Sequence, residues 1–261
     1  MADRIFEDPR LVSIYDFFDG ERNDLEHYLA IAKEFSARSI LDIGCGTGSL
    51  ACLLSSQGFD VFGIDPAWAS IEYARKKPFA DKVKWFLGDM SCLPPMTVDM
   101  AVMTGNVSQV FLTDQEFREN LLLIHQNLSD EGFLVFEARN PAQKAWHDWN
   151  KEKTFQSLNI PGTGEVQGWC QVTNQTSALI SFQWTYYFAR ENLTITSDST
   201  LRFREQEEIE HLLMVSGFKV KEVRDAPDRP GKEFVFIATP AAKFPNMKKP
   251  LKKGFEKNKF L

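Results

Sequence analysis

The sequence predicts an α/β fold, a doubly wound and mostly parallel sheet with a small antiparallel β insertion after its fifth strand. Three features lead there. Short apolar runs alternate with helical stretches from Ser39 to Glu137. A loop of three alternating glycines, Gly44-Cys45-Gly46-Thr47-Gly48, joins the first run to the helix behind it. After Asn140-Pro141 the helical period gives way to period-2 alternation rich in aromatics.

Residues 10 to 35 read as helical, broken at Asp19-Gly20, and precede the first strand, so residues 1–35 are free to act as a cover. The core, residues 36–138, follows in order. Ser39 to Ile43 is a strand, Gly48 to Gln57 a helix, Asp60 to Ile64 a strand, Ala67 to Lys77 a helix and Val83 to Leu87 a strand. Val98 to Met103 is nearly continuous in apolar residues, as a strand covered on both faces should be. Thr113-Asp114-Gln115-Glu116 is a capping box opening a helix to about Leu128, and Gly132 to Glu137 is the fifth strand. In the insertion, residues 139–204, Phe182, Trp184, Tyr186 and Phe188 alternate with polar or smaller residues and give one strand an aromatic face. That face is expected to pack between the small sheet and the main body. Residues 205–240 return to the core with a helix from about Glu205 to Val215 and strands at Lys219 to Val223 and Phe234 to Ala238.

The net charge of −6 is unevenly spread. From Lys243 onward seven lysines face one glutamate, so residues 241–261 are expected to be a basic, solvated tail on an acidic body. An acidic body disfavours general nucleic-acid binding. Cysteines 45, 52, 92 and 170 form no CxxC pair and no disulfide framework, and no apolar segment reaches the roughly 18 residues of a membrane span. A cytoplasmic protein with no membrane partner, monomeric or homodimeric, is the expectation.

In open α/β sheets the ligand lies at the carboxyl ends of the strands. Polar or small residues recur there: the Asp42 to Gly48 loop, Asp65, Gly88-Asp89-Met90 and Thr104-Gly105-Asn106. Three nucleoside ligands compete for such a glycine loop. A phosphate-loop nucleotide needs a lysine after the glycines, where Ser49 stands. A nicotinamide dinucleotide wants G-x-G-x-x-G, and Asp42 would repel its pyrophosphate. The same carboxylate would attract an ammonium group, which S-adenosylmethionine carries with no phosphate. Asp65 can accept from both ribose hydroxyls.

Ile40-Leu41-Asp42-Ile43-Gly44-Cys45-Gly46-Thr47-Gly48, Val61-Phe62-Gly63-Ile64-Asp65 and Gly88-Asp89-Met90 together resemble the class I S-adenosylmethionine-dependent methyltransferase family, small-molecule type. The resemblance implies seven strands with the last one reversed, and S-adenosylmethionine as cofactor. It implies that Gly44, Cys45, Gly46 and Gly48 hold the methionine moiety with Thr104 and Gly105 beside it, and that Asp42 takes the ammonium. Asp65 would take the ribose, Pro66, Ala67 and Met90 would flank the adenine, and Asp89 would accept from its exocyclic amine.

Methyl transfer needs alignment and exclusion of water more than a nucleophile, and no metal. Tyr15 in the cover, Asn106 at the end of the fourth strand and His147 beyond the fifth are the candidate catalytic residues, with Asp16, Arg139, Asn140 and Trp146 near the same side. Thr104-Gly105-Asn106-Val107 lacks the Asn/Asp-Pro-Pro-aromatic segment of amino-methylating DNA enzymes, so DNA is not the expected partner. The expected reaction moves the methyl to an O, N or C nucleophile of a small-molecule acceptor. The alternatives are a non-catalytic sensor of the cofactor or its demethylated product, and an RNA or protein acceptor.

Overall fold

The structure is a computed structural model and describes residues 2–241; the lysine-rich tail from residue 242 lies outside the described residues. Eleven strands and eight α-helices follow one another among the described residues. Helices α1 (Arg4–Glu7), α2 (Pro9–Asp19) and α3 (Asp24–Glu34) come first. Then come β1 (Ser39–Ile43), α4 (Ser49–Ser56), β2 (Asp60–Asp65), α5 (Trp68–Ala74), β3 (Val83–Leu87) and β4 (Val98–Met103). The central series ends with α6 (Asp114–Asn127) and β5 (Leu128–Arg139). A short α7 (Lys151–Thr154) leads into β6 (Gln156–Ile160), β7 (Gly164–Gln175), β8 (Leu179–Phe188) and β9 (Leu193–Arg202). The chain closes with α8 (Gln206–Val215), β10 (Phe218–Asp225) and β11 (Glu233–Pro240).

The main sheet has seven strands in the order β10-β11-β5-β4-β1-β2-β3. All are parallel except β11, which runs antiparallel to both its neighbours. The order reverses beside β1, so the ends of β1 and β4 diverge there and leave a crevice. One face of the sheet is covered by α6 and α8, with Phe117, Leu121, Ile124 and Leu213 against Leu41, Phe136 and Phe236. The other is covered by α3 and α4, with Tyr28, Leu29, Ala32 and Leu54 against Ile40, Met100, Val102 and Val235. Burying each such side chain contributes about 1.5–3 kcal/mol, so the double cover accounts for the continuous apolar runs of β1 and β4. The capping box at Thr113 is present, with its hydroxyl accepting from the Glu116 amide at 3.1 Å and the Glu116 carboxylate accepting from the Thr113 amide at 3.0 Å.

The small sheet is an antiparallel meander, β6-β7-β8-β9. Its first strand escapes a reading of the sequence because only Leu158 and Ile160 are apolar in a five-residue run; pairing with β7, Leu158 opposite Val166, is what makes it a strand. The aromatic face of β8 does not close on the main body as expected. Tyr186 and Phe188, with Ile160, Val166 and Ile195, pack on Ile5, Leu11 and Ile14 of the N-terminal helices. Phe182 instead meets Trp149 at 4.7 Å between ring centres. Helices α1 and α2 have an apolar stripe to bury and no sheet of their own, and the small sheet provides one. No helix among the described residues is long and apolar enough to cross a membrane.

Candidate functional site

The crevice beside β1 is a cleft with about 500 Å³ of empty space, open to solvent. That space includes the solvent at its mouth. The glycine loop forms one side, Thr104, Gly105 and Val107 a second, and Phe6, Tyr15, Arg22 and Leu25 of the cover the third.

The loop is pinned from below. The amides of Gly44 and Cys45 donate to the Ile64 carbonyl at 2.9 and 3.2 Å, and Gly46 donates to the Asp65 carboxylate at 2.8 Å. The three glycines have different jobs. All sit at positive φ, but a Cβ at Gly48 would lie 2.6 Å from Trp85 and one at Gly44 2.6 Å from Val107, whereas a Cβ at Gly46 would meet nothing within 4 Å. Gly44 and Gly48 are therefore demanded by packing, and Gly46 alone turns bare backbone to open space.

Asp42 is the unusual group on the floor of the cleft. It is 1% exposed, and neither carboxylate oxygen has a hydrogen-bond partner. Burial, and then the neighbouring Asp65, push its carboxyl up to about 7, with the Arg22 guanidinium and the nearby Ala51 amide opposing. A carboxylate left bare in this way costs free energy unless a cation comes to it.

Asp65, buried, accepts from Gly46 through one oxygen and from Ala67 through the other, at 2.8 Å each. Burial raises its carboxyl, and these two amides oppose the shift. Thr104 and Gly105 line the cleft beside Cys45. The residues expected around an adenine lie outside the lining of this cleft: Met90 is 3% exposed and packs in the core with Ile43 and Ile64. Pro66 is exposed and Ala67 buried, and neither lines the cleft. Asp89 is exposed, with one oxygen accepting from the Ser91 amide at 2.9 Å. Beside them Trp68 and Leu87 are 49% and 51% exposed. These two large apolar side chains, at the start of α5 and the end of β3, carried no signal in the sequence.

Of the candidate catalytic residues, only Tyr15 reaches the cleft. Burial, then Asp19, keeps its phenol far above the ordinary range, so it is a hydrogen-bond donor and not a base. Asn106 stands at φ 62° and is 2% exposed behind the cleft wall. Its amide donates to Glu137 at 3.0 Å and its side-chain nitrogen to Glu233 at 3.1 Å, leaving its carbonyl oxygen without a partner. His147 is exposed on a turn and does not line the cleft.

Two networks carry residues that were not singled out in the sequence, Glu137 and Glu233 in one and Lys77 in the other. Glu137, 1% exposed, accepts from the Tyr28 hydroxyl and the Asn106 amide, while Glu233 takes Asn106 and, at 2.8 Å, Arg229. A glutamate inside the apolar run Phe133-Leu134-Val135-Phe136-Glu137-Ala138 was the available signal for the first. In the second, Asp16 of the cover accepts from the Thr47 hydroxyl at 2.7 Å and pairs with Lys77 at 2.7 Å, which ties α2 to the glycine loop. Nothing in a polar loop sequence could announce Arg22 or Lys77.

Residues 40–132 match the family model described as a methyltransferase domain. The chain is 32% identical over 114 residues to an uncharacterized methyltransferase of Oceanobacillus iheyensis, covering 42% of this chain and 53% of that one. It spans about half the length of the curated relatives it matches first. Among solved structures, the CcbJ methyltransferase of Streptomyces caelestis superposes with a TM-score of 0.69 at 20% identity, covering 88% of this chain and 96% of that chain. An S-adenosylmethionine-dependent methyltransferase of Clostridium acetobutylicum does so with a TM-score of 0.70 at 14% identity, covering 89% and 98%. These two likenesses concern the fold, whereas the family match covers the glycine loop and the strand ends that frame the cleft. Residues 40–132 thus carry a match to a methyltransferase domain, set in the same α/β fold as solved S-adenosylmethionine-dependent methyltransferases.

Proposed function

We propose that this protein transfers the methyl group of S-adenosylmethionine to an N, O or C nucleophile of a small-molecule acceptor, and that the cleft beside β1 is where it does so. The observation that carries the reading is Asp42, a buried carboxylate with both oxygens unpartnered on the floor of an open cleft. The residues present fit the cofactor. Asp42 would hold its ammonium, the open side of Gly46 would let it lie on backbone, and Asp65 would take the ribose hydroxyls through lone pairs left after its two amide bonds. Pro66 and Ala67 would flank the adenine together with Trp68 and Leu87, whose exposed faces offer apolar surface there. Met90 would support the adenine from the core, and Asp89 would accept from its amine through the oxygen that Ser91 does not use.

When bound, the cofactor supplies a methyl group already activated on a sulfonium. The chain's own work is to orient and to exclude water. Tyr15, Phe6 and Leu25 close the cleft from the cover, and Thr104, Gly105 and Val107 wall the side from which an acceptor would approach. Among the described residues lining the cleft there is no imidazole, and Tyr15 is held protonated. No base role is proposed for His147, which does not line the cleft.

Calorimetry with S-adenosylmethionine and with its demethylated product is the first test, followed by a screen of metabolite extracts with methyl-labelled cofactor. Label in a small molecule supports the reading. Tight binding of both ligands with no label transferred would favour the sensor instead, and absence of binding would sink both. The binding should depend on pH. Asp42 in the free protein titrates at about 7, and an ammonium ligand needs it ionised, so affinity should rise about tenfold per pH unit below pH 7 and level off above it. Asp42→Asn should flatten that rise; an unchanged slope in the variant would mean that another group sets it.

A further inference from the structure

Arg139 closes β5 at the carboxyl end of the sheet, one strand over from the Thr104-Gly105 wall, and the function described so far leaves it unused. Its guanidinium is partly buried and thinly paired. Of its five N–H donors one is used, Nη1 donating to the Gln109 side-chain oxygen at 3.1 Å. Its ion pair with Glu233 stands at 3.8 Å, too long for a hydrogen bond, and that Glu233 oxygen already accepts from Arg229 at 2.8 Å and from Asn106 at 3.1 Å. Gln109 is buried and donates its amide nitrogen to the Arg202 carbonyl at 3.2 Å, which fixes the oxygen that steers Arg139. The guanidinium lies over the Trp149 ring, 5.5 Å from its centre. Burial pulls its pKa down, against Glu233 and Glu137, so the charge is held at a cost that an incoming anion would offset. Arg139 is not part of the cleft lining, but Tyr15 is, and the two are close enough for each to shift the other's pKa.

We propose that the methyl acceptor carries an oxyanion, a carboxylate or a phosphate, and that Arg139 binds it beside Tyr15, with the Trp149 ring against the guanidinium. This rests on the cleft being the site of methyl transfer, and it narrows the acceptor to an anionic small molecule. A planar guanidinium with free N–H groups on an aromatic support can hold such a group through two parallel hydrogen bonds. The competing reading is that Arg139 only balances the buried carboxylates Glu137 and Glu233.

The full chain, methyl-labelled S-adenosylmethionine and a metabolite extract supply the test. The labelled product is expected to carry an acid, read by mass as a shift on carbodiimide amidation for a carboxylate or on phosphatase treatment for a phosphate. The acceptor so identified is then compared with its neutral counterpart, the amide or the dephosphorylated compound. The wild type is expected to prefer the anion about 10- to 100-fold in kcat/KM, the range for a charge-assisted contact. Arg139→Gln should lose most of that preference while handling the neutral counterpart within about twofold of wild type. Arg139→Lys, which keeps the charge without the fork, should retain part of it. A labelled product with neither acid overturns the proposal, as does an Arg139→Gln variant that keeps the preference or slows on both acceptors alike. If that variant does not fold, a wild type that fails to discriminate, or a lysine variant with undiminished preference, overturns it as well. Transfer to no acceptor also overturns it, and calorimetry then separates the causes: S-adenosylmethionine that still binds leaves the cofactor reading standing, and S-adenosylmethionine that does not bind removes it.

Discussion

Asp65→Ala is expected to raise the dissociation constants for S-adenosylmethionine and its demethylated product by about 100-fold or more. Two charge-assisted hydrogen bonds to ribose hydroxyls at roughly 1.5–3 kcal/mol each give a factor of at least about 100 between them. The same carboxylate also holds the amides of Gly46 and Ala67, at 2.8 Å each. Its loss therefore costs stability in the free protein, about 1–3 kcal/mol for each buried donor left unmade, and the melting temperature should fall by several degrees. The two consequences are separable. Asp65→Asn keeps an oxygen for one of the amides and should recover part of the stability while binding the cofactor poorly. Calorimetric affinity that does not change in the alanine variant would disprove the ribose assignment, whatever the melting temperature does.

The second large effect is on stability, at Glu137. Its carboxylate is buried, accepts the Tyr28 hydroxyl and the Asn106 amide, and lies among the cations Arg139 and Arg229 and the second carboxylate Glu233. Glu137→Ala leaves two buried donors without acceptors and strips negative charge from around two partly buried guanidinium groups. A loss of about 3–5 kcal/mol in the free energy of unfolding is expected, measured by urea denaturation. Glu137→Gln, which can still accept once, should cost about 1–2 kcal/mol. Because Asn106 is held in a left-handed conformation by this carboxylate, the alanine variant should also loosen the Thr104-Gly105 wall. An alanine variant within 1 kcal/mol of wild type would show that the network is already relaxed in the native protein.

Much of the fold was legible because its causes are local. The capping box at Thr113, the β1–glycine loop–α4 unit and the period-2 aromatics of β8 each announce their structure within a dozen residues. Asp42, Asp65 and Asp89 fall at 23- and 24-residue intervals, and that spacing places them at successive strand ends. The short strand β6 was not legible, since an edge strand of mixed polarity exists only by virtue of its partner. The partner of the aromatic face was misjudged for a related reason: which surface covers an apolar face depends on which other surface is left uncovered.

By itself, then, the sequence determined the layered α/β architecture, the glycine loop and the placing of acidic residues at successive strand ends. Only the tertiary structure decided which glycines serve packing and which one faces open space, that Asp42 is bare, and that Asn106 and His147 stand outside the cleft while Arg22 stands inside it. The physical reason is the range of the forces concerned. Turn geometry and hydrophobic period act between near neighbours in the chain, whereas desolvation and charge pairing depend on what lies within a few ångströms in space, and in this protein those neighbours come from segments as far apart as Arg22, Asp42 and Gly105.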